Sequence, residues 1–361
     1  MKIVDCAGPP RVRGQAHGEA LRTEISEGLA RWANATIKPG ADEAEIDAYC
    51  ERFVFGTGHL ARAETQTPTL FEELLGIAEG AGQPLMRIAA YNLMDEQWWH
   101  DASFSKAPPG CSLVATAAED GCLLAQNMDL PEHLDGGQVV LRLSGPDMPD
   151  TVLLSAAGLI GLTGANAAGL AVGVNTLLML SHDAAGLPVA FALRHALSAR
   201  TLQDAIAALE ETAHASGQHY ALVTKDNIVS MECSRAGCAE AKPPEDGPLL
   251  HTNHPLVSTD IDVQTQTQFE KAGFNGGSRT RLDWMQERAG DLRDASDVQA
   301  VFDDPTTPLC MRPHTHDGSA TFATVLYEMT DQPTIRMRKG VAASTPWISI
   351  PFTETLSARA S

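Results

Sequence analysis

Apolar residues in the first hundred positions recur with the period of a helix. In "GQAHGEALRTEISEGLARWANATI" they fall at Ala20, Leu21, Ile25, Leu29, Trp32 and Ala33, close to a 3.6-residue spacing. Residues 42–55 and 68–81 repeat that pattern, and 86–99 predict one more helix ending in an aromatic-rich turn. The segment "DASFSKAPPG" then interrupts it with small residues and prolines. After Gly110 the period shortens. "CSLVATAA", "CLLAQNMDL", "QVVLRLSG", "TVLLSAAG" and "LAVGVNTLLML" are short apolar or alternating runs split by glycine and aspartate turns, so they predict strands. Helices follow over 188–199 and 201–214. Thr201 with Asp204 resembles a capping box in which Asp replaces Glu or Gln. "HYALVTKD" and "NIVSMECS" read as strands joined by a turn at Asp226-Asn227. A helix from Ser278, another near Asp297, and the strands "TFATVLYEM" and "TIRMRKG" complete the chain.

Strand block, helix pair, strand block is not the regular βαβ alternation of a parallel sheet. It predicts an α+β protein in which antiparallel sheets pack together under helices. The clearest boundary is Gly110/Cys111, dividing a helical segment (1–110) from a strand-rich one (111–361) within one structural unit.

Composition narrows the function. At 361 residues with 43% hydrophobic and 20% charged content, the chain can bury a large core as an ordinary globular protein. Its 46 acidic residues against 26 basic ones give a net charge of −20, which argues against nucleic acid or an anionic membrane as partner. No run approaches the roughly 18 apolar residues of a membrane helix, and the start lacks the apolar stretch of a signal peptide. Seven cysteines, an odd number without framework spacing, argue against a disulfide scaffold and for a reducing cytoplasm.

The chemistry gathers at "PPGCSLV". Hydrolysis of the Gly110–Cys111 bond would leave Cys111 with both a thiol and a free α-amine. A thiol titrates near about 8.5 and an α-amine near about 7.7–8.0, so the amine could serve as base without a histidine. Gly110 leaves its carbonyl open to attack, and Pro108 and Pro109 stiffen the approach. Read locally, a loop ending at a strand that happens to start with cysteine explains the stretch more simply. The following "CSLVATAAEDGCLLAQNMDL" predicts a hairpin. A three-residue Glu119-Asp120-Gly121 loop, with Gly121 in a left-handed conformation, places Asp129 opposite Cys111; a two-residue Asp-Gly loop places it opposite Ser112. Either register brings a carboxylate to the Cys111 end, although Asp129 could equally cap a turn into "LPEHLDGG".

Other clusters carry less. His251 and His254 in "HTNHP", and His314, His316 and Asp317 in "HTHD", are metal-ligand types that complete no zinc pattern, so they read as loop or pocket residues. Cys50, Cys122 and Cys310 sit in apolar surroundings as small buried hydrophobes. Trp98 and Trp99 could wall a pocket beside the nucleophile, with core packing as the plainer role.

Taken in order, "RGQAHGEALRTEI", "YNLMDEQ", "GCSLVA", "AQNMDL", "GLTGANAAGLAVGVNTL", "HTNHP", "SRTRL" and "GSATFATVLYEM" resemble the isopenicillin-N acyltransferase family of N-terminal nucleophile (Ntn) hydrolases, and more distantly the choloylglycine hydrolases. The resemblance implies a four-layer αββα sandwich of two antiparallel sheets. It also implies self-cleavage at Gly110/Cys111 and a thioester on Cys111. It assigns Asp129 to nucleophile contact, Asn253 to the oxyanion, and Asn175 to oxyanion or substrate contacts. Two departures stand out: Asn127 replaces an arginine found in some relatives, and Gly318-Ser319-Ala320 lacks the arginine that follows the serine in the acyltransferase branch. Arg279 and Arg312 are the candidates to supply that charge. The function expected is an autoprocessed cysteine amidase with no cofactor or metal, acting on a small-molecule amide as an αβ heterodimer or a pair of them. An acyltransferase using the same site, and an unprocessed binding protein, are the rivals.

Overall fold

The computed structural model describes residues 1–101, 110–242, 244, 247–272, 274–313, 318–341 and 345–352. Pro108, Pro109, His314, His316 and Asp317 therefore lie outside the described residues. The chain runs β1 (Lys2–Ala7), α1 (Pro10–Ala20), α2 (Arg22–Thr36), α3 (Glu43–Gly56), α4 (His59–Gln66), α5 (Pro68–Ala81), α6 (Leu85–Asn92) and α7 (Met94–Asp101). Strands β2 (Cys111–Ala118), β3 (Gly121–Pro131), β4 (Gln138–Gly145), β5 (Met148–Ala156), β6 (Thr163–Asn166) and β7 (Leu170–Thr176) follow. Then come α8 (Val189–Leu197), α9 (Leu202–Glu210), β8 (Gln218–Val223), β9 (Ile228–Ser234), β10 (Gly237–Ala241) and β11 (Leu249–His251). The last elements are α10 (Val263–Ala272), α11 (Phe274–Gln286), α12 (Ala295–Asp303), β12 (Ser319–Met329), β13 (Thr334–Lys339) and β14 (Ile348–Ser349).

Two sheets stack face to face: β1-β4-β5-β6-β7-β8-β9-β10 and β11-β2-β3-β12-β13-β14. Helices α1, α8 and α9 cover the first, and α11 and α12 cover the second, giving the αββα sandwich that the resemblance implied. Strand alternation sorts the side chains. Leu113, Ala115, Leu124 and Met128 face the other sheet, whereas Val114, Leu123 and Ala125 meet Leu282, Met285 and Phe302 of the outer helices.

Several expectations need correction. The first hundred residues are not wholly helical, because β1 joins the larger sheet as an edge strand parallel to β4. Only Val4 and Cys6 of this short strand are buried, too few to show a period in the sequence. The helix predicted over 86–99 breaks into α6 and α7 at Leu93, whose backbone (φ −103°, ψ 32°) leaves the helical region. Helix α11 starts at Phe274, ahead of Ser278, and β6, β10 and α10 were not anticipated. Thr201 does cap α9, with its Oγ1 accepting from the Asp204 N–H at 3.1 Å. The box closes differently from the usual one: the shorter Asp204 carboxylate accepts from the Thr201 hydroxyl at 2.7 Å.

Cys233 and Cys238 form a disulfide, contrary to the expectation from cysteine count. Their spacing of five is set by the β9–β10 hairpin, whose tight loop places them directly opposite each other. It is a local staple within one hairpin. Cys50, Cys122 and Cys310 are buried and outside any disulfide, as expected. Among the described residues no helix is long and apolar enough to cross a membrane.

Helices α1 and α5 touch backbone to backbone. A Cβ at Gly14 would lie 2.1 Å from the Glu73 carbonyl oxygen, and one at Gly76 would lie 2.1 Å from that of Arg11. Gly18 and Gly80 repeat the contact one turn further on. Gly76→Ala is expected to force the pair apart at a cost of about 1–3 kcal/mol, read as a lower denaturation midpoint. Unchanged stability would mean that the two helices part without loss.

Candidate active site

Cys111 opens β2, and β3 returns alongside it in neither of the two registers expected. The hairpin loop is Glu119-Asp120, so Ala118 pairs with Gly121, Cys111 with Met128, and Asp129 stands opposite Gly110. Gly121 is not a left-handed loop residue: its φ of 159° is nearly extended. A Cβ there would come within 2.2 Å of the Met329 carbonyl oxygen, so close approach of β12 demands the glycine.

This register puts the Asp129 N–H on the Gly110 carbonyl oxygen at 3.1 Å. On the other side of the same peptide bond, the Cys111 N–H donates to Asn253 Oδ1 at 2.7 Å. Asn253 Nδ2 donates to the Thr176 carbonyl at 3.2 Å, and Asn253 N donates to Ser278 Oγ at 2.8 Å. Two donors meet its Oδ1, which fixes the orientation of the amide.

The second donor was missed by sequence reading. Arg281, buried on α11, gives Nη2 to Asn253 Oδ1 at 2.9 Å and Nη1 to the Cys111 carbonyl at 2.6 Å and Ser112 Oγ at 3.0 Å. A Cβ on Gly110 would strike its guanidinium at 2.6 Å, which gives Gly110 a second reason to be glycine. Sequence reading named Arg279 from "SRTRL", but helical rotation leaves Arg279 exposed and turns Arg281, two residues on, toward the site. Arg312 is also exposed, with Nη2 on the Pro305 carbonyl. Arg281→Ala is expected to slow processing and turnover about 10²–10³-fold, with Arg281→Lys rescuing only partly because an ammonium cannot fork. Arg279→Ala should stay near wild type, and the reverse ranking in a single-turnover assay would reassign the charge.

Asp129 is fully buried. Thr321 Oγ1 donates to its Oδ1 at 2.7 Å, while Oδ2 has no partner among the described residues. Burial pushes its carboxyl up to about 7, against the pull of Arg281 and the Thr321 hydroxyl. Burial, helped by the Asp129 charge, likewise pushes the Cys111 thiol up to about 12, so the uncut chain holds a protonated sulfur.

The remaining candidates lie further off. Asn127 Oδ1 accepts from Thr324 Oγ1 and its Nδ2 donates to the Leu309 carbonyl, so it joins β3 and β12 to the outer layer. Ser319 opens β12 and pairs with Pro131, two residues beyond Asp129 on β3, at the Cys111 end of the sheet. Asn175 is sealed between the sheets, with Oδ1 on His219 Nδ1 at 2.9 Å. Its neighbours Val174 and Thr176 line the recess beside Cys111, and Asn175 does not. The histidines of "HTNHP" hold the Asn253 loop: His251 Nε2 meets Glu232 Oε1 at 2.9 Å, and His254 Nδ1 meets Ser278 Oγ at 2.8 Å. Glu232 also accepts the backbone N–H groups of Leu256, Val257 and Ser258. Trp98 and Trp99 pack on Leu178 and Met179, away from the recess lining, and Trp99 stacks on His182.

Residues 116–339 match the model of a family described as acyl-coenzyme A:6-aminopenicillanic acid acyl-transferase. The chain belongs to that family. The resemblance to that family read from its motifs holds. The acyl-coenzyme A:6-aminopenicillanic-acid-acyltransferase 40 kDa form of Emericella nidulans is 27% identical over 262 residues, covering 72% of this chain and 70% of that protein. Two solved structures are similar at lower levels. A variant of conjugated bile acid hydrolase from Clostridium perfringens gives a TM-score of 0.44 at 11% identity, covering 67% of this chain and 92% of that one. Penicillin V acylase from Agrobacterium tumefaciens gives 0.36 at 14%, covering 68% and 86%.

Proposed function

We propose that this family member is a cysteine amidase activated by its own cleavage before Cys111. One observation carries the reading: both sides of the Gly110–Cys111 bond are held by fixed groups, the carbonyl by the Asp129 N–H and the amide N–H by Asn253 Oδ1. In the cleavage step the Cys111 sulfur adds to the Gly110 carbonyl, the C–N bond breaks, and the acyl group moves to sulfur. The nitrogen takes the thiol proton and becomes the α-amine. Water then hydrolyses the thioester, leaving Gly110 as a carboxylate and Cys111 as a free N-terminus.

Turnover repeats the chemistry on a linear amide. The α-amine, still beside Asn253 Oδ1, takes the thiol proton. The sulfur attacks the substrate carbonyl, the C–N bond breaks, and the amine leaves with a proton. Water resolves the thioester to a carboxylic acid. The second N–H of Asn253 Nδ2 and a backbone N–H stabilise the oxyanion, a donor worth roughly 3–4 kcal/mol in other enzymes. Asp129, with Oδ2 unpartnered, steadies the new ammonium group. The two fragments stay together as an αβ heterodimer, because β1 of the first is an edge strand of a sheet built from the second.

An acyltransferase would use the same thioester with an amine in place of water, and the family description and the Emericella relative favour keeping that reading second. Intact mass separates the main alternatives: the purified protein should give two fragments split before Cys111. One persistent full-length chain without turnover would sink the amidase. Amide formed faster than free acid, from an acyl thioester and an amine, would put transfer first.

A further inference from the structure

The recess beside Cys111 has mostly apolar walls, among them Leu159, Leu162 and Leu193, yet Asp95 and Gln218 also line it. Asp95 Oδ2 accepts from Thr176 Oγ1 at 2.6 Å and from Gln218 Nε2 at 2.9 Å. Gln218 Nε2 spends its other N–H on Ser216 Oγ at 3.1 Å. The donors of Asn92, the remaining polar side chain in the wall, go to the Ile88 and Gly158 carbonyls. Every side-chain amide and hydroxyl donor in the wall is thus committed.

Acceptors are left over. Among the described residues, Asp95 Oδ1 has no hydrogen bond and Gln218 Oε1, on a fully buried side chain, has no partner. Glu96, next to Asp95, receives the Val189 N–H at 3.1 Å and so occupies the start of α8, which would otherwise attract an anion. No cation among the described residues bears on Asp95 or Glu96, and burial holds both carboxyls above their ordinary range. A half-buried Asp95 carboxyl and a fully buried Gln218 amide oxygen, whose acceptor positions meet no donor among the described residues, form a wall suited to a donor-rich, positively charged group.

We propose that Asp95, with Gln218 Oε1, is the specificity-determining site for a primary ammonium group on the substrate, so that the preferred substrates are linear amides carrying a free amine. The inference rests on the amidase reading only in taking the Cys111 recess as the place where substrate binds. The ammonium belongs either to the acyl part or to the leaving amine, and the test separates the two.

Processed enzyme is assayed on two matched pairs. β-Alanyl p-nitroanilide against butanoyl p-nitroanilide probes the acyl side; N-acetyl-1,3-diaminopropane against N-butylacetamide probes the amine side. The charged member of one pair should lead by about 30-fold or more in kcat/KM, as expected for a hydrogen-bonded charge. Asp95→Asn should bring that ratio below about 3, and Gln218→Leu should lower it less. Equal or better turnover of the neutral member in both pairs, or a ratio that survives Asp95→Asn, would overturn the assignment. If none of the four amides turns over, the amidase reading fails by itself. Calorimetry on Cys111→Ala protein then reads the subsite alone: 3-aminopropanamide binding at least about 10-fold tighter than butanamide supports it, and equal binding refutes it.

Discussion

Cys111→Ala protein is expected to remain one uncut chain of 38.4 kDa and to lose amide turnover by about 10⁵-fold or more. Both effects follow from the proposed mechanism, in which one sulfur serves first on its own chain and then on substrate. Alanine leaves the Asp129–Gly110 and Cys111–Asn253 bonds intact, since these use backbone groups of residues 110 and 111, so folding should survive. Circular dichroism and the melting midpoint establish that independently of activity. Cys111→Ser should cut and turn over slowly, because a hydroxyl is far harder to deprotonate than a thiol. Turnover also carries a pH signature. The buried thiol of the uncut chain is pushed up to about 12, whereas the base created by cleavage is an α-amine near about 7.7–8.0. Below that value the amine is protonated and cannot take the thiol proton, so kcat/KM should rise with pH to about 8. Wild-type rates from the alanine variant would remove Cys111 from the mechanism.

Glu73→Ala should destabilise the fold by about 3–5 kcal/mol, lowering the melting midpoint by on the order of 10 °C. Glu73 lies almost wholly buried on α5 between two equally buried arginines. Arg13 Nε meets its Oε2 at 2.5 Å, and Arg194 supplies bonds of 2.7 and 2.9 Å from α8. Arg13 continues to Asp147 in the β4–β5 loop, so one carboxylate ties α1, α5 and α8 to the large sheet. Removing it leaves two cations in the interior with only Asp147 to answer them. Burial by itself would raise the Glu73 pKa, but Arg194 and Arg13 outweigh it and hold the carboxyl below its ordinary range. Its contribution is therefore complete above the unfolded value of about 4.3 and is lost as pH falls through the depressed folded value. Glu73→Ala should accordingly flatten the acid limb of the stability curve, and Glu73→Gln should fall between the two. A midpoint within about 2 °C of wild type at pH 7 would show the network to be dispensable.

The same residues show how far the sequence reaches. Arg13, Gly14, His17 and Gly18 stand together in "RGQAHG", a stretch recognisable as a family mark whose purpose cannot be seen locally. Gly14 and Gly18 let α1 meet α5, Arg13 meets Glu73, and neutral His17 accepts the Gly158 N–H through Nε2 at 3.0 Å. Burial lowers the His17 pKa to about 4, which keeps that nitrogen free to accept. Their partners lie some 60 to 140 residues away, so no window of sequence contains the interaction.

By itself the sequence determined the α+β class, most of the strands and the start of a strand at Cys111, because hydrophobic period and turn residues are local properties. It also placed Asp129 near the junction, since a hairpin register can err by only a residue or two. Tertiary structure decided which arginine serves the site, because Arg279 and Arg281 differ only in the face of α11 they occupy. It decided that Asn253 reaches the Cys111 N–H across 142 residues of chain, and that Asp95 and Gln218 meet beside Cys111. Those contacts join elements from different layers of the sandwich. Their geometry exists only once the two sheets have packed.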